Sequence, residues 1–120
     1  MDKNEIGRRG EDAAVAYLER SGMRVVERNW RDGRGELDIV ALDGETLVIC
    51  EVKTRLSVAQ GTPEEAISAT KRRRLVRLAG SYVTSQGLEP CPTRFDVIAV
   101  RVIADDRALL RHYRAAFEVE

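Results

Sequence analysis

The sequence has few of the residues that mark secreted, membrane-spanning or zinc-binding proteins. Its 120 residues include two cysteines, three prolines and one histidine, and aromatic residues make up 5%. Cys50 and Cys91 lack the CxxC spacing of a zinc site or a redox pair. No apolar run approaches the roughly 20 residues that cross a bilayer, and the charged N-terminus lacks the apolar core of a signal peptide. These absences predict a single cytoplasmic domain over residues 1–120 with no membrane anchor.

The chain also lacks net charge, but its charges are unevenly distributed. Lysine and arginine together number 20 and balance 20 acidic residues, and 17 of the basic residues are arginine. Arginine carries a planar fork of donors that suits phosphate oxygens. Solvated ion pairs are the simpler interpretation of such clusters, and we favour it unless an acidic centre lies near them. The clusters are Arg8–Arg9, Arg28–Arg31–Arg34 and Lys71–Arg74 with Arg77.

The pattern of apolar residues, caps and turns predicts seven elements in the order α-β-β-β-α-β-β. This order indicates a mixed sheet with helices packed on it. The fifth element, a helix, is expected to start at Thr62-Pro63, with threonine as the cap and proline in the first helical position. Asn4 is expected to cap the first helix. The predicted helices span 4–20 and 62–85, and the predicted strands span 23–30, 36–42, 45–53, 93–103 and 108–120.

The second and third strands form the clearest hairpin, because Asp43-Gly44 is a favoured two-residue turn. Such a turn pairs Val40 with Leu47. It places Asp38 diagonal to Glu51, roughly 7–8 Å apart, near enough for one ion to bridge them. Since side chains alternate between the faces of a sheet, four charged residues are expected on one face. They are Glu36, Asp38, Glu51 and Lys53.

A further acid is expected near this face. The inward stripe of the first helix contains Gly7, Glu11, Ala14 and Leu18, so Glu11 lies on the side that should be buried. Carboxylates this close repel one another unless one is protonated or a cation lies between them. Mg²⁺ prefers such hard oxygen ligands and takes only a few carboxylates. The sequence therefore predicts a divalent-metal site, with Lys53 placed to orient water or neutralise developing charge.

These residues resemble a known nuclease pattern. Asp38 followed by "Glu51-Val52-Lys53" is similar to the D…ExK core of the PD-(D/E)xK, or restriction-endonuclease-like, superfamily, and Glu11 resembles the helix acid of archaeal Holliday-junction resolvases. The phrases "GRRGEDAAVAYLERSG", "VERNWRDGRGELDIVA", "EVKTR", "GTPEEAISATKRRRL" and "RFDVIAV" resemble the YraN-like family of uncharacterised bacterial proteins across nearly the whole chain. The proline of the superfamily name is absent, since Leu37 precedes Asp38.

The resemblance implies an α/β restriction-endonuclease-like core, αβββαβ, with an extra C-terminal strand. It implies Mg²⁺ or Mn²⁺ held by Asp38, Glu51 and the backbone carbonyl of Val52, with Glu11 helping to hold the metal or its water. Lys53 would be the catalytic lysine. The implied activity is hydrolysis of DNA phosphodiester bonds by an endonuclease.

The implied substrate is branched or single-stranded DNA, with DNA favoured over RNA. We expect phosphate contacts from five basic residues, and no strong sequence specificity, because no base-reading module is present. By analogy with resolvases that pair as dimers, a homodimer is one arrangement to consider. A second hypothesis is a non-catalytic nucleic-acid-binding accessory of DNA processing or repair, and a third is a protein-interaction adaptor. The five basic residues that we expect to contact phosphates are Lys71, Arg8, Arg34, Arg55 and Arg74.

Each candidate also has a structural interpretation. Glu51 and Lys53 could form an ion pair on an edge strand, with Asp38 and Arg55 nearby. Glu11 could pair with Arg8 on the helix surface. Several other residues have two readings. Lys71 either reaches a phosphate or extends to solvent. Glu36 either supports a metal ligand or is solvated, and Trp30 stacks on a base or, as we favour, covers the core edge. His112 is expected to be structural, and Asp96 either is structural or approaches the site.

Overall fold

The computed structural model describes residues 2–56 and 67–117. Over these ranges it contains two helices and five strands in the predicted order. Within the described residues, the main deviation from the predicted boundaries lies before α2, where 67–68 were expected to be helical. The elements are α1 (Lys3–Arg20), β1 (Arg24–Arg31), β2 (Glu36–Asp43), β3 (Thr46–Arg55), α2 (Ala69–Ser85), β4 (Thr93–Ala104) and β5 (Arg107–Phe117).

The five strands form one mixed sheet in the order β1-β2-β3-β4-β5. Neighbouring strands are antiparallel except for β3 and β4, which run parallel. The connection between β3 and β4 passes through α2, as a parallel pair requires a crossover. One apolar cluster includes Leu75 and Leu78 of α2, and another includes Ala14 and Leu18 of α1. The helices therefore cover opposite faces of the sheet, and the predicted mixed sheet flanked by helices is confirmed.

The N-cap of helix α1 lies two residues earlier than predicted. Asp2, not Asn4, is the N-cap, and its carboxylate accepts a hydrogen bond from the backbone N–H of Glu5 at 2.8 Å. Gly10, which the predicted stripe omitted, is buried against β3. A Cβ at this glycine would lie 1.8 Å from Oγ1 of Thr54, so only glycine permits the observed approach. This contact brings the helix close to the sheet one residue before Glu11.

The hairpin between β2 and β3 forms as expected, but its turn is displaced. Asp43 pairs with Thr46, and Gly44 lies in the turn with a φ of 61°. Val40 therefore pairs with Ile49 rather than with Leu47. The prediction was wrong by two residues because Asp43 belongs to the strand rather than the turn. An even shift leaves each side chain on its own face of β3.

Helix α2 begins at Ala69, with Ser68 as its N-cap. The Ser68 hydroxyl accepts a hydrogen bond from the backbone N–H of Lys71 at 3.1 Å. The predicted continuous helix is wrong at 67–68, which are not helical. Its predicted start at Thr62-Pro63 lies outside the described residues. The predicted end agrees, since Gln86 is the C-cap and Gly87 follows with a φ of 62°.

Cys50 is buried in the sheet, as expected for a small apolar thiol, and Cys91 is partly buried; both are free. Among the residues described, no helix has the length and apolar character needed to cross a membrane.

Candidate active site

The regular alternation of side chains breaks at Asp38. Leu37 and Val40 both belong to the apolar cluster on the α2 side, whereas Ile39 lies in the cluster on the α1 side. Strict alternation would place Leu37 with Ile39. On β1, Arg28 pairs with Ile39 and Trp30 with Leu37, so the residue between them, Asn29, stands opposite Asp38. Asn29 has a φ of 53°, a left-handed conformation that asparagine tolerates better than most residues.

This break lies at Asp38 itself, between Leu37 and Ile39. Asp38 lines a cleft on the α1 side of the sheet together with Gly7, Glu11, Val52 and Thr54. The alternation from which a shared face for Asp38 and Glu51 was predicted therefore breaks between Leu37 and Ile39, although the charge of Glu51 still acts on Asp38. The local change at Asn29 overrides the two-residue period on which that prediction depended. We call this space the α1 cleft; its remaining lining residues are Lys3, Ile6, Arg55 and Leu56.

The Asp38 carboxylate lies at the point where β2 and β3 stop pairing. Counted from the turn, the last backbone pair between β2 and β3 is Ile39 with Cys50. Beyond it, the backbone N–H of Val52 donates a hydrogen bond to Oδ2 of Asp38 at 2.9 Å. Burial, followed by the negative charge of Glu51, raises the pKa of Asp38 to about 7, although the Val52 hydrogen bond acts in the opposite direction. The hydrogen bond from Val52 therefore does not fully compensate the negative charge around Asp38.

Glu51 is directed to the α2 side and meets two lysines. It is 6% exposed, and its Oε1 lies 2.6 Å from Nζ of Lys71 and 3.7 Å from Nζ of Lys53. Burial opposes the charge on Lys71, but the hydrogen bond and charge of Glu51 raise its pKa. Burial, and then the charge of Lys71, lower the pKa of Lys53. Lys71 does not simply extend to solvent, and the two lysines are electrostatically different.

Glu11 is close to Asp38 but has partners on β1. Its Oε2 accepts a hydrogen bond from Nδ2 of Asn29 at 3.0 Å, and its Oε1 lies 3.6 Å from Nη2 of Arg28. The alternative pairing with Arg8 is therefore replaced by one with Arg28. Glu11 lines the α1 cleft with Asp38, and its charge contributes to the raised pKa of Asp38. Asn29 was missed at the sequence level, where only the tolerance of asparagine for left-handed backbone hinted at its role.

The carboxylate oxygens of Asp38 and Glu51 suit a hard cation, although they do not form a complete coordination site. Within residues 2–56 and 67–117, no three histidine, cysteine, aspartate or glutamate side chains are arranged to hold a metal. Mg²⁺, however, uses one or two carboxylates and retains several waters. Asp38 and Glu51 supply two such groups, and a cation between them would relieve the repulsion that raises the pKa of Asp38. The residues present therefore fit a divalent metal.

The structure separates the predicted phosphate-binding residues. Arg55 lines the α1 cleft, whereas Lys71 contacts Glu51 on the opposite side of the sheet. Arg74 lies one turn after Lys71, and a Cβ built at Gly35 would be 3.5 Å from its Cδ, so Arg74 approaches the segment that contains Arg34. Arg8 is exposed on α1 and does not line the cleft.

Three structural alternatives are also resolved. The alternative ion pair between Glu51 and Lys53 is present, at 3.7 Å, but β3 is the central strand of the sheet, and beyond Cys50 it is paired with β4. Glu36 is not opposite Glu51; it forms a 3.4 Å ion pair with Arg31. Trp30 covers the core edge as expected, with its ring 5.3 Å from that of Tyr82.

A second buried carboxylate, Asp96, lies in a separate polar network. Arg94 donates to both of its oxygens, at 2.9 and 3.0 Å, and the backbone N–H of Ala115 donates to Oδ1 at 3.0 Å. Nε2 of His112 lies 2.7 Å from Oδ2, and Nδ1 of the same ring lies 3.1 Å from the hydroxyl of Tyr17. Asp96 and His112 are thus structural, as expected, although the sequence did not predict their contact. We call these five residues the Asp96 network.

Comparisons with known proteins place the chain in a family. A model described as "Uncharacterised protein family UPF0102" matches residues 10–100, a span that includes the Asp38–Glu51 region and both lysines. The chain belongs to this family.

Several UPF0102 relatives match over most of their length. A UPF0102 protein of Arthrobacter sp. (strain FB24) is 56% identical over 99 residues, covering 82% of this chain and 83% of the relative. One from Geobacter sulfurreducens is 44% identical, covering 95% and 89%. A third, from Symbiobacterium thermophilum, is 47% identical, covering 93% and 95%. The resemblance to the YraN-like family is therefore confirmed at the level of the family.

Proposed function

We propose that this UPF0102 protein is a Mg²⁺- or Mn²⁺-dependent endonuclease with a restriction-endonuclease-like core. It hydrolyses DNA phosphodiester bonds, in branched or single-stranded DNA, without strong sequence specificity. The observation that carries this proposal is the convergence of Asp38, Glu51 and two lysines at the point where β2 and β3 separate. The element order and the mixed sheet support the core, since they agree with the αβββαβ arrangement that the D…ExK resemblance implies.

The carboxylates account for the metal requirement. Asp38 and Glu51 would hold the cation, with the carbonyl of Val52 as a further oxygen donor and Glu11 holding a ligand water from the cleft side. When bound, a divalent metal activates water and stabilises negative charge on a phosphate during in-line displacement. In its absence, Lys71 supplies the positive charge that Glu51 needs. Metal binding would therefore draw Glu51 away from Lys71 and free that ammonium group for a phosphate oxygen.

The two lysines suit different steps. Lys53 is the better proton acceptor, because burial and the neighbouring Lys71 charge lower its pKa. It would orient the attacking water and accept its proton. Lys71 has a raised pKa and remains cationic, which suits stabilisation of the charge that develops on the phosphate.

Cleavage assays test this proposal directly. Labelled single strands, duplexes, flaps and four-way junctions would be incubated with Mg²⁺ or Mn²⁺, using wild type and Glu51→Ala. We expect cleavage of a single-stranded or branched substrate by wild type, reduced at least about a hundredfold in the variant. Asp96→Asn serves as a matched control in a buried acid outside the site, and should retain cleavage per folded molecule. Equal cleavage by wild type and Glu51→Ala would contradict the assignment of this site.

A second candidate function is a non-catalytic nucleic-acid-binding accessory. It is favoured by the short Lys71–Glu51 contact, which balances the negative charge of Glu51 without a metal. Such a protein would bind DNA in EDTA with a steep dependence on salt and would cleave none of the substrates with either metal. Cleavage that depends on Glu51 would exclude it.

A further inference from the structure

The α1 cleft is the space beside the proposed site that the chemistry above does not use. It has a volume of about 540 Å³ and lies between the start of α1 and the end of β3. Its inner wall includes Asp38, Glu11 and Val52, so it is continuous with the proposed metal site. Pockets of roughly 300–1,000 Å³ take single small molecules. A base-paired duplex does not fit such a space, whereas one unpaired nucleotide does.

The lining of the cleft has the two kinds of surface that a nucleotide presents. Ile6, Val52 and Leu56 provide apolar surface for a base, and Leu56 is 56% exposed. Lys3 and Arg55 add positive charge for a sugar–phosphate backbone. A guanidinium plane such as that of Arg55 can also stack on a base. Two acidic side chains, Asp38 and Glu11, line the same cleft, so the surface that suits a phosphate is confined to Lys3 and Arg55.

A glycine, Gly7, faces the open space of this cleft. Gly7 lies on α1 at the cleft wall, and a Cβ added there would meet nothing within 4 Å. Glycine inside a helix destabilises it by roughly 0.5–1 kcal/mol relative to alanine. The close approach of Thr54 explains why position 10 is a glycine, but no comparable contact requires a glycine at position 7. Open space at this position is what a bound group would need.

We propose that the α1 cleft binds one unpaired nucleotide of a DNA strand, next to the phosphate that Asp38 and Glu51 address. This inference rests on the proposed nuclease function and specifies its substrate. The base lies against the apolar wall, and the phosphates on either side of it lie near Lys3 and Arg55. A duplex then becomes a substrate only where a base is already unpaired, as at a flap, a junction or an end, because unstacking a paired base costs a few kcal/mol.

A substitution that fills the cleft tests the proposal. Gly7→Phe places a ring in the open space without altering the carboxylates or lysines. Binding of a short fluorescent oligothymidylate would be measured in EDTA, so that neither metal nor cleavage affects the result. We expect at least about tenfold weaker binding, as for loss of one stacked base. Gly80→Phe is the matched control, because Gly80 is an exposed helical glycine with nothing within 4 Å of a built Cβ. It should bind as wild type does.

An abasic residue moved stepwise along the oligonucleotide locates the bound base. In wild type, one position of the abasic residue should weaken binding about tenfold. In Gly7→Phe that position should no longer matter, because the base is already excluded. Gly7→Ala, which adds little volume, should retain the positional effect. Helicity and thermal unfolding would be checked for each variant, and Gly7→Leu provides a second cleft-filling substitution should the phenylalanine variant not fold.

The outcomes separate this proposal from the nuclease assignment. Unchanged binding in both Gly7→Phe and Gly7→Leu, or no binding of the strand by wild type, would overturn the cleft proposal. Neither result bears on whether Glu51→Ala abolishes cleavage of other substrates. Conversely, weakened binding in the Gly7 variants with no cleavage by wild type would support the cleft and contradict the catalytic proposal.

Discussion

Two buried acidic regions in one sheet differ in how their charge is compensated. The Asp96 carboxylate receives a two-point contact from Arg94, a backbone N–H from Ala115 and a contact from His112. Although burial opposes its charge, these bonds lower its pKa. Asp38 receives one backbone N–H and faces Glu51, and its pKa is raised to about 7.

This difference separates a carboxylate that stabilises the fold from one that is available for binding. Removing one partner of a buried, fully hydrogen-bonded charge is strongly destabilising, because the remaining groups are left buried and unpaired. An under-compensated carboxylate destabilises the fold until a cation binds to it, which is the arrangement expected at functional sites. Burial alone would not distinguish the two regions, since Asp96 and Glu51 are both buried.

The largest expected effect is the loss of stability in Asp96→Ala. The substitution leaves the Arg94 guanidinium and the Ala115 N–H without their acceptor in a site where the Asp96 side chain is fully buried. We expect the free energy of unfolding to fall by about 3–5 kcal/mol, as when a buried pair loses one partner. Urea denaturation at pH 7 measures it. A loss below about 1 kcal/mol would show that the two acidic regions do not differ as described.

Metal binding should stabilise only the Asp38–Glu51 region. At a Mg²⁺ concentration about a hundred times its dissociation constant, the free energy of unfolding of wild type should rise by about 2.7 kcal/mol. Thermal unfolding with and without Mg²⁺ measures this gain. Glu51→Ala should lose it, whereas Asp96→Asn should keep it. A gain of equal size in Glu51→Ala would place the metal elsewhere.

Asp38→Asn should stabilise the protein in a pH-dependent manner. Because the pKa of Asp38 is about 7 in the folded state against an ordinary value of 3.8, the folded state binds its proton more tightly. Wild-type stability therefore decreases as the pH rises from 4 to about 7, and the variant lacks this contribution. At pH 8 we expect the variant to be more stable by about 2 kcal/mol, less than the full shift at 1.4 kcal/mol per unit because water enters the cleft.

Urea denaturation of wild type and Asp38→Asn across this pH range provides the measurement. The difference should disappear near pH 4, where both side chains are neutral. A variant less stable than wild type at pH 8 would mean that Asp38 is better compensated than its surroundings indicate.

The smallest effect is expected from Tyr17→Phe. The variant removes one partly buried hydrogen bond to Nδ1 of His112 and leaves the ring contact, which has centroids 5.4 Å apart. We expect a loss of about 1 kcal/mol in the free energy of unfolding. Chemical denaturation with Tyr113→Phe as a tyrosine control on β5 tests it. A loss above about 3 kcal/mol would show that the Asp96 network depends on this hydroxyl.

The sequence predicted most of the architecture because local signals dominate there. Alternating apolar residues and the glycine turn predicted the hairpin, and the element order predicted the mixed sheet. The register was wrong by two residues because turn boundaries depend on backbone geometry that residue types only partly specify. The predicted helix is not continuous at 67–68, because Ser68, which is an acceptable cap, starts α2 at Ala69.

The site was predicted as a set of residues but not as an arrangement. Asp38, Glu51 and Lys53 were identified from their charge within apolar strands. The break in alternation at Asp38 lies opposite the left-handed backbone of Asn29 on another strand, which no pattern within the hairpin contains. The Lys71–Glu51 contact likewise joins two residues that are 20 positions apart in sequence, and it depends on how α2 packs on the sheet.

By itself, the sequence determined which elements form and which strands carry charge, because capping, turn chemistry and periodicity act over a few residues. The tertiary structure alone decided which charges are compensated. Asp96 meets His112 and Tyr17 only after β4, β5 and α1 pack together, and Asp38 meets Glu11 only where Gly10 lets α1 approach β3. Electrostatic compensation depends on distance in space, and for these groups that distance is set by long-range packing.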